Sequence, residues 1–327
     1  MKKSCIPHLI SALIILAWMV VMLGAYTRLT DAGLGCPDWP GCYGKLVPSD
    51  LNQHIESYNT VKKAWTEMAH RYIAGTLAFG IFFVGVWALM RRHLLARTTI
   101  YLAQALVILV CFQAALGMWT VTLKLLPIVV MSHLLGGILI FSGLCLLRLQ
   151  FIEQICVFST RTTWFNKWII LGAILLFGQI ALGGWVSANY AGLACIGFPK
   201  CNGQWWPTLD FSKGFYLFSP LGINYQGGIL DSSIRITIQF MHRLGALVVT
   251  LYLSGLSVFL LRRVDVSRSL KHATCLALCL LIIQLTLGIM NVVYLLPLSV
   301  AVAHNGVAAL LMATLLSMVY IGRKHSV

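Results

Sequence analysis

Apolar residues gather into eight long runs, near 9–27, 68–90, 99–121, 128–148, 168–188, 234–261, 271–291 and 298–321. Short polar links and two long polar stretches separate them. Each run reaches the roughly 18 to 20 residues that carry a helix across a hydrocarbon core. Backbone groups in lipid have to pair within their own segment, so each run is predicted to be a helix. The expected fold class is all-α integral membrane, with eight transmembrane helices. At 59% hydrophobic and 10% charged residues, with a mean hydropathy of +0.85, the chain is not a soluble globule. The first run follows Lys2 and Lys3 and has the outline of a signal peptide. Its outer end resembles that of the fifth run, so it is read as a retained span.

A net charge of +15 raises the question of nucleic acid, and the distribution of that charge answers it. Lys2, Lys3, Arg91, Arg92, Arg97, Arg148, Arg161, Lys167, Arg262, Arg263, Arg268, Lys271, Arg323 and Lys324 all fall on the side of the N-terminus, opposed there only by Glu153 and Asp265. The positive-inside rule then places both termini in the cytoplasm, in a cell (inner) membrane, and the long loops 28–67 and 189–233 outside. The basicity reports topology, and no nucleic-acid partner is expected.

The two long loops mark a doubled unit. Ala32-Gly33-Leu34-Gly35-Cys36 is matched by Ala191-Gly192-Leu193-Ala194-Cys195, and Cys42-Tyr43-Gly44 by Cys201-Asn202-Gly203, both cysteines at an offset of 159. His70-Arg71 returns as His242-Arg243, Gln113 with Leu116-Gly117 as Gln284 with Leu287-Gly288, and Leu126-Pro127 before His133 as Leu296-Pro297 before His304. Two tandem pseudo-symmetric four-helix bundles are expected, at 1–149 and 168–327, joined by a cytoplasmic linker at 150–167. Both halves start inside, so the axis relating them lies along the membrane normal. Short links make consecutive helices antiparallel neighbours. Gly24, Gly117, Gly183, Gly184 and Gly288 lie toward outer helix ends, where small residues let backbones approach. Gln113, Gln179 and Gln284 recur as Gln-x-x-Leu-Gly and are read as interhelical hydrogen-bonding groups.

Of nine histidines, His8, His54, His93, His272 and His325 lie in loops or at span ends. His70, His133, His242 and His304 each lie early in an even-numbered span, all running from outside to inside; His133 follows Pro127 by roughly 9 Å of helical rise. The four therefore share one depth, two per bundle. Intramembrane histidine is costly and marks function, and facing imidazoles on bundle helices suit the two axial positions of a haem. Gly75, Gly136, Gly137, Gly245 and Gly306 beside them would let a flat macrocycle approach the backbone. Arg71, Arg243 and Arg28 stand where propionates would need charged partners. Zinc would call for cysteine, carboxylate or more clustered histidine than pairs about 62 residues apart.

Glu67 precedes His70 by one turn and shares its face; the equivalent residue before His242 is Gln239. A carboxylate can take and release a proton and an amide cannot, so the two sites are built alike but are chemically unequal. The bland alternative makes Glu67 a solvated acid at a helix N-terminus. Cys36 with Cys42 and Cys195 with Cys201 lie on the outer face, where disulfides persist, and are expected to be disulfides, either structural clips or reducible redox pairs. Trp39, Tyr43, Trp205 and Trp206 around them are interfacial anchors or lids. Cys5, Cys111, Cys145, Cys156, Cys275 and Cys279 behave as small hydrophobes.

With eight spans, a duplicated bundle, Glu67-x-x-His70-Arg71, His133, His242-Arg243, His304 and both cysteine pairs, nearly the whole chain resembles the haem A synthase family of cytochrome oxidase maturation. The resemblance implies an oxidoreductase that converts a ring methyl of its substrate haem O, through successive hydroxylations, to the formyl group of haem A. It implies haem b as cofactor on His242 and His304, substrate on His70 and His133, and Glu67 as an essential acid. Some members lack the cysteine pairs. The resemblance leaves the electron donor and oxygen source open, and it accommodates haem O synthase as a partner and a homo-oligomer. Two rival readings of the residues remain: a di-haem b-type cytochrome that passes electrons from quinol, and a quinone-linked thiol oxidoreductase centred on the cysteine loops.

Overall fold

A computed structural model describes residues 5–47, 58–153 and 164–322. Among the described residues it contains eight membrane-length helices and no strand: α1 Ile6–Leu29, α2 Tyr58–Met90, α3 Arg97–Thr122, α4 Pro127–Glu153, α5 Asn166–Ala188, α6 Ser232–Arg262, α7 Arg268–Val293 and α8 Leu298–Ile321. The chain is a multi-pass membrane protein. Lys2, Lys3, His54, Cys156, Arg161, Arg323, Lys324, His325 and most of the expected linker lie outside the described residues, as does the side chain of Glu153.

The helices start and stop where local chemistry allows. Pro7 and Pro127 occupy first-turn positions, where a missing N–H costs nothing. The Ser267 hydroxyl accepts the Leu270 N–H at the start of α7. Lys124 and Leu125, ahead of α4, take left-handed backbone angles, and Leu295 and Leu296 do the same ahead of α8. Helix α2 differs from expectation, because it already spans Tyr58–Glu67, assigned above to the outer loop. That polar stretch is covered from outside. The first disulfide loop packs on it, with Cys36 and Cys42 buried against Ala64 and Met68.

In the first half α1 packs on α2, α2 on α3, α3 on α4, and α4 back on α1; α5 to α8 repeat the same cycle. The halves meet through α1 with α8, α4 with α8, and α4 with α5. Lipid tails are as apolar as leucine, so close fit holds such helices together. A Cβ at Gly80 would lie 2.4 Å from Leu13, and one at Gly143 2.7 Å from Leu106.

Two contacts join equivalent positions of the repeat. Arg28 donates to the Ser187 carbonyl at 2.6 Å, and the Tyr190 hydroxyl to Asp31 at 2.9 Å, each pair 159 residues apart. The Arg28 guanidinium also lies over the Tyr190 ring, 4.0 Å from its centroid. The second outer loop crosses to the first half as well: Tyr225 donates its N–H to the Lys124 carbonyl at 3.1 Å and is buried among Leu116, Leu125, Leu126 and Val129.

The docked disulfide loop supplies a test of this architecture. A Cβ at Gly35 would stand 2.6 Å from the Lys63 carbonyl carbon, against rigid helix backbone, whereas one at Gly33 would meet only the end of the Leu125 side chain at 3.3 Å. Gly35→Ala should cost about 1–3 kcal/mol by forcing the loop off α2, and Gly33→Ala should cost much less. Thermal unfolding in detergent compares the two; equal midpoints would contradict the close docking of the loop.

Candidate functional site

His70 on α2 and His133 on α4 face each other, with ring centroids 6.4 Å apart and planes crossed at 81°. His242 on α6 and His304 on α8 occupy the corresponding places in the second half. Each ring rests on a glycine of the preceding helix. A Cβ added there would lie 3.0 Å from the ring Cε1 at Gly24 (His70), 3.4 Å at Gly117 (His133), 3.0 Å at Gly183 (His242) and 3.2 Å at Gly288 (His304). These glycines therefore serve the imidazoles; Gly184 alone of that set meets apolar side chains, Met131 and Leu134.

The glycines just after the histidines divide: three are covered by side chains, whereas Gly75 and Gly137, the latter with only Val21 at 4.0 Å, keep the open space expected of them. Gly136 receives the Gln113 side chain, Gly245 that of Gln179 and Gly306 that of Met22, while Gly75 faces open space. Around the second pair the amides reach the rings: Gln179 Nε2 lies 3.0 Å from His242 Nδ1, and Gln284 Nε2 3.2 Å from His304 Nε2.

Two imidazoles are too few for a closed metal site, and among the described residues no three His, Cys, Asp or Glu side chains gather to hold a bare ion. A porphyrin brings four ring nitrogens of its own and asks the protein only for axial groups. Metal–nitrogen bonds of about 2 Å on opposite sides of one ion place two imidazole centroids roughly 6 Å apart, close to the His70–His133 spacing. The Nδ1 atoms of His70, His133 and His304 are buried without a protein partner among the described residues. The residues present fit a haem in each half.

Glu67 lies about two and a half turns inside α2 and is 5% exposed, so it is not the solvated helix-end acid of the bland alternative. One carboxylate oxygen accepts the Cys36 N–H at 2.9 Å and the other the Arg71 guanidinium at 2.5 Å. Gln239 is equally buried, but its Oε1 has no partner among the described residues.

The arginines grip the disulfide loops. Arg71 donates to the carbonyls of Asp38 (3.0 Å), Pro40 (3.2 Å) and Gly41 (2.6 Å), and Arg243 to those of Gly197 (2.9 Å), Lys200 (3.2 Å) and Cys195. Arg28 spends its terminal nitrogens on Ser187, Ala188 and Asp31. Arg28 Nε and Arg243 Nε have no protein partner among the described residues. Cys36–Cys42 and Cys195–Cys201 are joined, with S–S distances of 2.07 and 2.06 Å. Trp39, Tyr43, Trp205 and Trp206 are exposed around them. His8, His93 and His272 are exposed and far from these pairs in the chain, and Cys5, Cys111, Cys145, Cys275 and Cys279 are free thiols.

Sequence reasoning missed that Gly24, Gly117, Gly183 and Gly288 support rings. The signal was present, since Gly24 and Gly183 share the 159-residue offset of the cysteines and each precedes a histidine-bearing helix.

Comparison with known proteins agrees with this arrangement. Residues 8–316 match a family model described as a cytochrome oxidase assembly protein. A protein of Shewanella oneidensis named heme A synthase is 45% identical over 311 residues, covering 92% of each chain. Proteins of the same name from Shouchella clausii and Neorickettsia sennetsu are 27% and 25% identical, over 94% and 93% of this chain and 93% and 95% of their own. With both ends of the repeat inside the matched region, the chain belongs to the COX15-CtaA family of cytochrome oxidase assembly proteins.

Proposed function

We propose that this protein is a haem A synthase, an enzyme that oxidises a ring methyl of haem O to the formyl group of haem A. The observation that carries the reading is an inequality. Two histidine pairs are built on the same glycine-backed plan, and only one has a buried carboxylate a turn away. An electron-transfer cytochrome needs no such difference, and a thiol oxidoreductase needs no buried histidine pairs.

In this reading the second half, 168–327, holds haem b between His242 and His304, and that group supplies one-electron chemistry when bound. The first half, 1–149, holds the substrate iron between His70 and His133. Two axial ligands fix the plane of the substrate ring, and holding the reacting methyl in place removes much of the entropic barrier. Methyl to hydroxymethyl and hydroxymethyl to geminal diol each gain one oxygen atom and give up two electrons to an external oxidant, with two protons released when the oxygen comes from water; redox-neutral loss of water from the diol then leaves the formyl group. Glu67 is the group that takes and releases these protons, its charge balanced by Arg71 and its Oε2 held by the Cys36 N–H. Arg28 and Arg243 keep an unpartnered Nε for a propionate, and Arg71 reaches one only by yielding a loop carbonyl.

The basic links around Arg91–Arg97 and Arg262–Lys271 lie at the helix ends opposite the disulfide loops. This supports cytoplasmic termini and haem sites toward the outer face of the cell membrane.

Removing either second-half ligand, His242→Ala or His304→Ala, should abolish stable haem b binding, read as loss of the reduced-minus-oxidised spectrum of the purified protein. Full haem b content in both variants would move the cofactor elsewhere.

Glu67→Gln keeps the acceptor for the Cys36 N–H and removes the exchangeable proton. Activity should fall by roughly two orders of magnitude or more, with haem b retained and haem O or a hydroxylated intermediate accumulating. Pigment extraction from a host lacking its own synthase makes the measurement. Wild-type haem A yields would reduce Glu67 to a latch for the loop.

A further inference from the structure

The helix that backs each histidine carries a second signal four residues before its glycine. Gln113 precedes Gly117 behind His133, Gln179 precedes Gly183 behind His242, and Gln284 precedes Gly288 behind His304. Helix α1 instead reads Val20-Val21-Met22-Leu23-Gly24 behind His70, so the amide is missing behind one histidine of the four. The exchange is coordinated with its surroundings. Gln179 fits because Gly245, three residues after His242, leaves room, since a Cβ there would lie 2.2 Å from Gln179 Oε1. At the equivalent place after His70 stands Ile73, which carries the Cβ that at Gly245 would lie 2.2 Å from an amide oxygen.

Gln179 Nε2 is 3.0 Å from His242 Nδ1 and 2.9 Å from the His242 carbonyl oxygen, and its Oε1 has no partner among the described residues. His70 Nδ1 is buried without one. A ring nitrogen bound to a metal through Nε2 carries its proton on Nδ1. An amide serves that proton by turning its oxygen toward it, giving up the contact with the carbonyl. Such a partner fixes the ring and makes it a more basic ligand.

Resting on the assignment of haem b to the second half, we propose that Gln179 with Gly245 is the device that makes the His242 site a permanent haem site, and that Val20 with Ile73 leaves His70 unbraced so that the first site can release its haem as product. Gln179 is a positioning residue, acting through His242. The two sites differ in retention for the same reason that they differ in chemistry: one keeps its porphyrin and the other must let each one go.

The test uses the full chain in detergent with haem b bound. Gln179→Val should speed transfer of haem b to apomyoglobin roughly 10- to 100-fold and shift its midpoint potential upward, because a less basic ligand favours ferric iron less. Gln179→Glu, the same size with a stronger acceptor, should shift the potential downward. Opposite shifts distinguish a hydrogen bond from packing, and the glutamate variant stands alone if the valine variant does not fold. Val20→Gln with Ile73→Gly should raise the amount of haem that copurifies on the first site. Potentials that stay put or move the same way in both Gln179 variants overturn the proposal. Full haem b content in His242→Ala is a separate result, and it would instead overturn the assignment of the cofactor to this site.

Discussion

Everything polar inside these eight helices has to find its partner within the protein, because lipid offers none. Four imidazoles at one depth, a carboxylate and three guanidinium groups are an extreme load under that constraint, and much of the structure answers it. The rings lie against bare glycine backbone. Arg71 and Arg243 reach carbonyls of the disulfide loops, Arg28 those of Ser187 and Ala188, and Glu67 takes an N–H from the first loop. A loop that would otherwise be a free connection becomes a cover over the polar end of α2. The disulfides hold that cover in a shape whose carbonyls converge on one side chain.

The repeat shows which of these solutions belong to the scaffold and which to the chemistry. Glycine floors and arginine-held loops occur twice, and so does the pair of left-handed residues before α4 and α8. Three departures fall on α1 and α2 of the first half: Glu67 against Gln239, Val20 against Gln179, Ile73 against Gly245. In the proposed reading, these three differences separate a site that does work on its haem from one that keeps it.

The eight spans, the doubling and the four histidines were legible in the sequence because each rests on a one-dimensional signal: run length, offset, or a costly residue inside an apolar run. The outer part of α2 was not. Tyr58–Glu67 is polar, and its helix is supported by residues 35–46, a contact that no local pattern announces. The loop contacts of Arg71 and Arg243 were not legible for a related reason, since backbone carbonyls folded over a cation leave no trace in the sequence. Gln179 was visible as a motif and assigned to the right class of interaction; its partner, the His242 imidazole, depends on how deeply α5 sits against α6.

The meeting of Arg28 with Ser187 and of Asp31 with Tyr190 carries a different kind of consequence. Positions that face their own counterparts lie close to the axis between the halves, and in a dimer of identical chains they would be identical residues. Two copies of Arg28 would set guanidinium against guanidinium, and two copies of Asp31 carboxylate against carboxylate. A single continuous chain is free of that restriction. It can place an arginine opposite a bare carbonyl and an acid opposite a phenol, turning the most repulsive spot of a symmetric assembly into its fastening. Unlike sequences in the two halves are thus a condition for the seam itself, and separately expressed bundles of this sequence would form it only as the unlike pair.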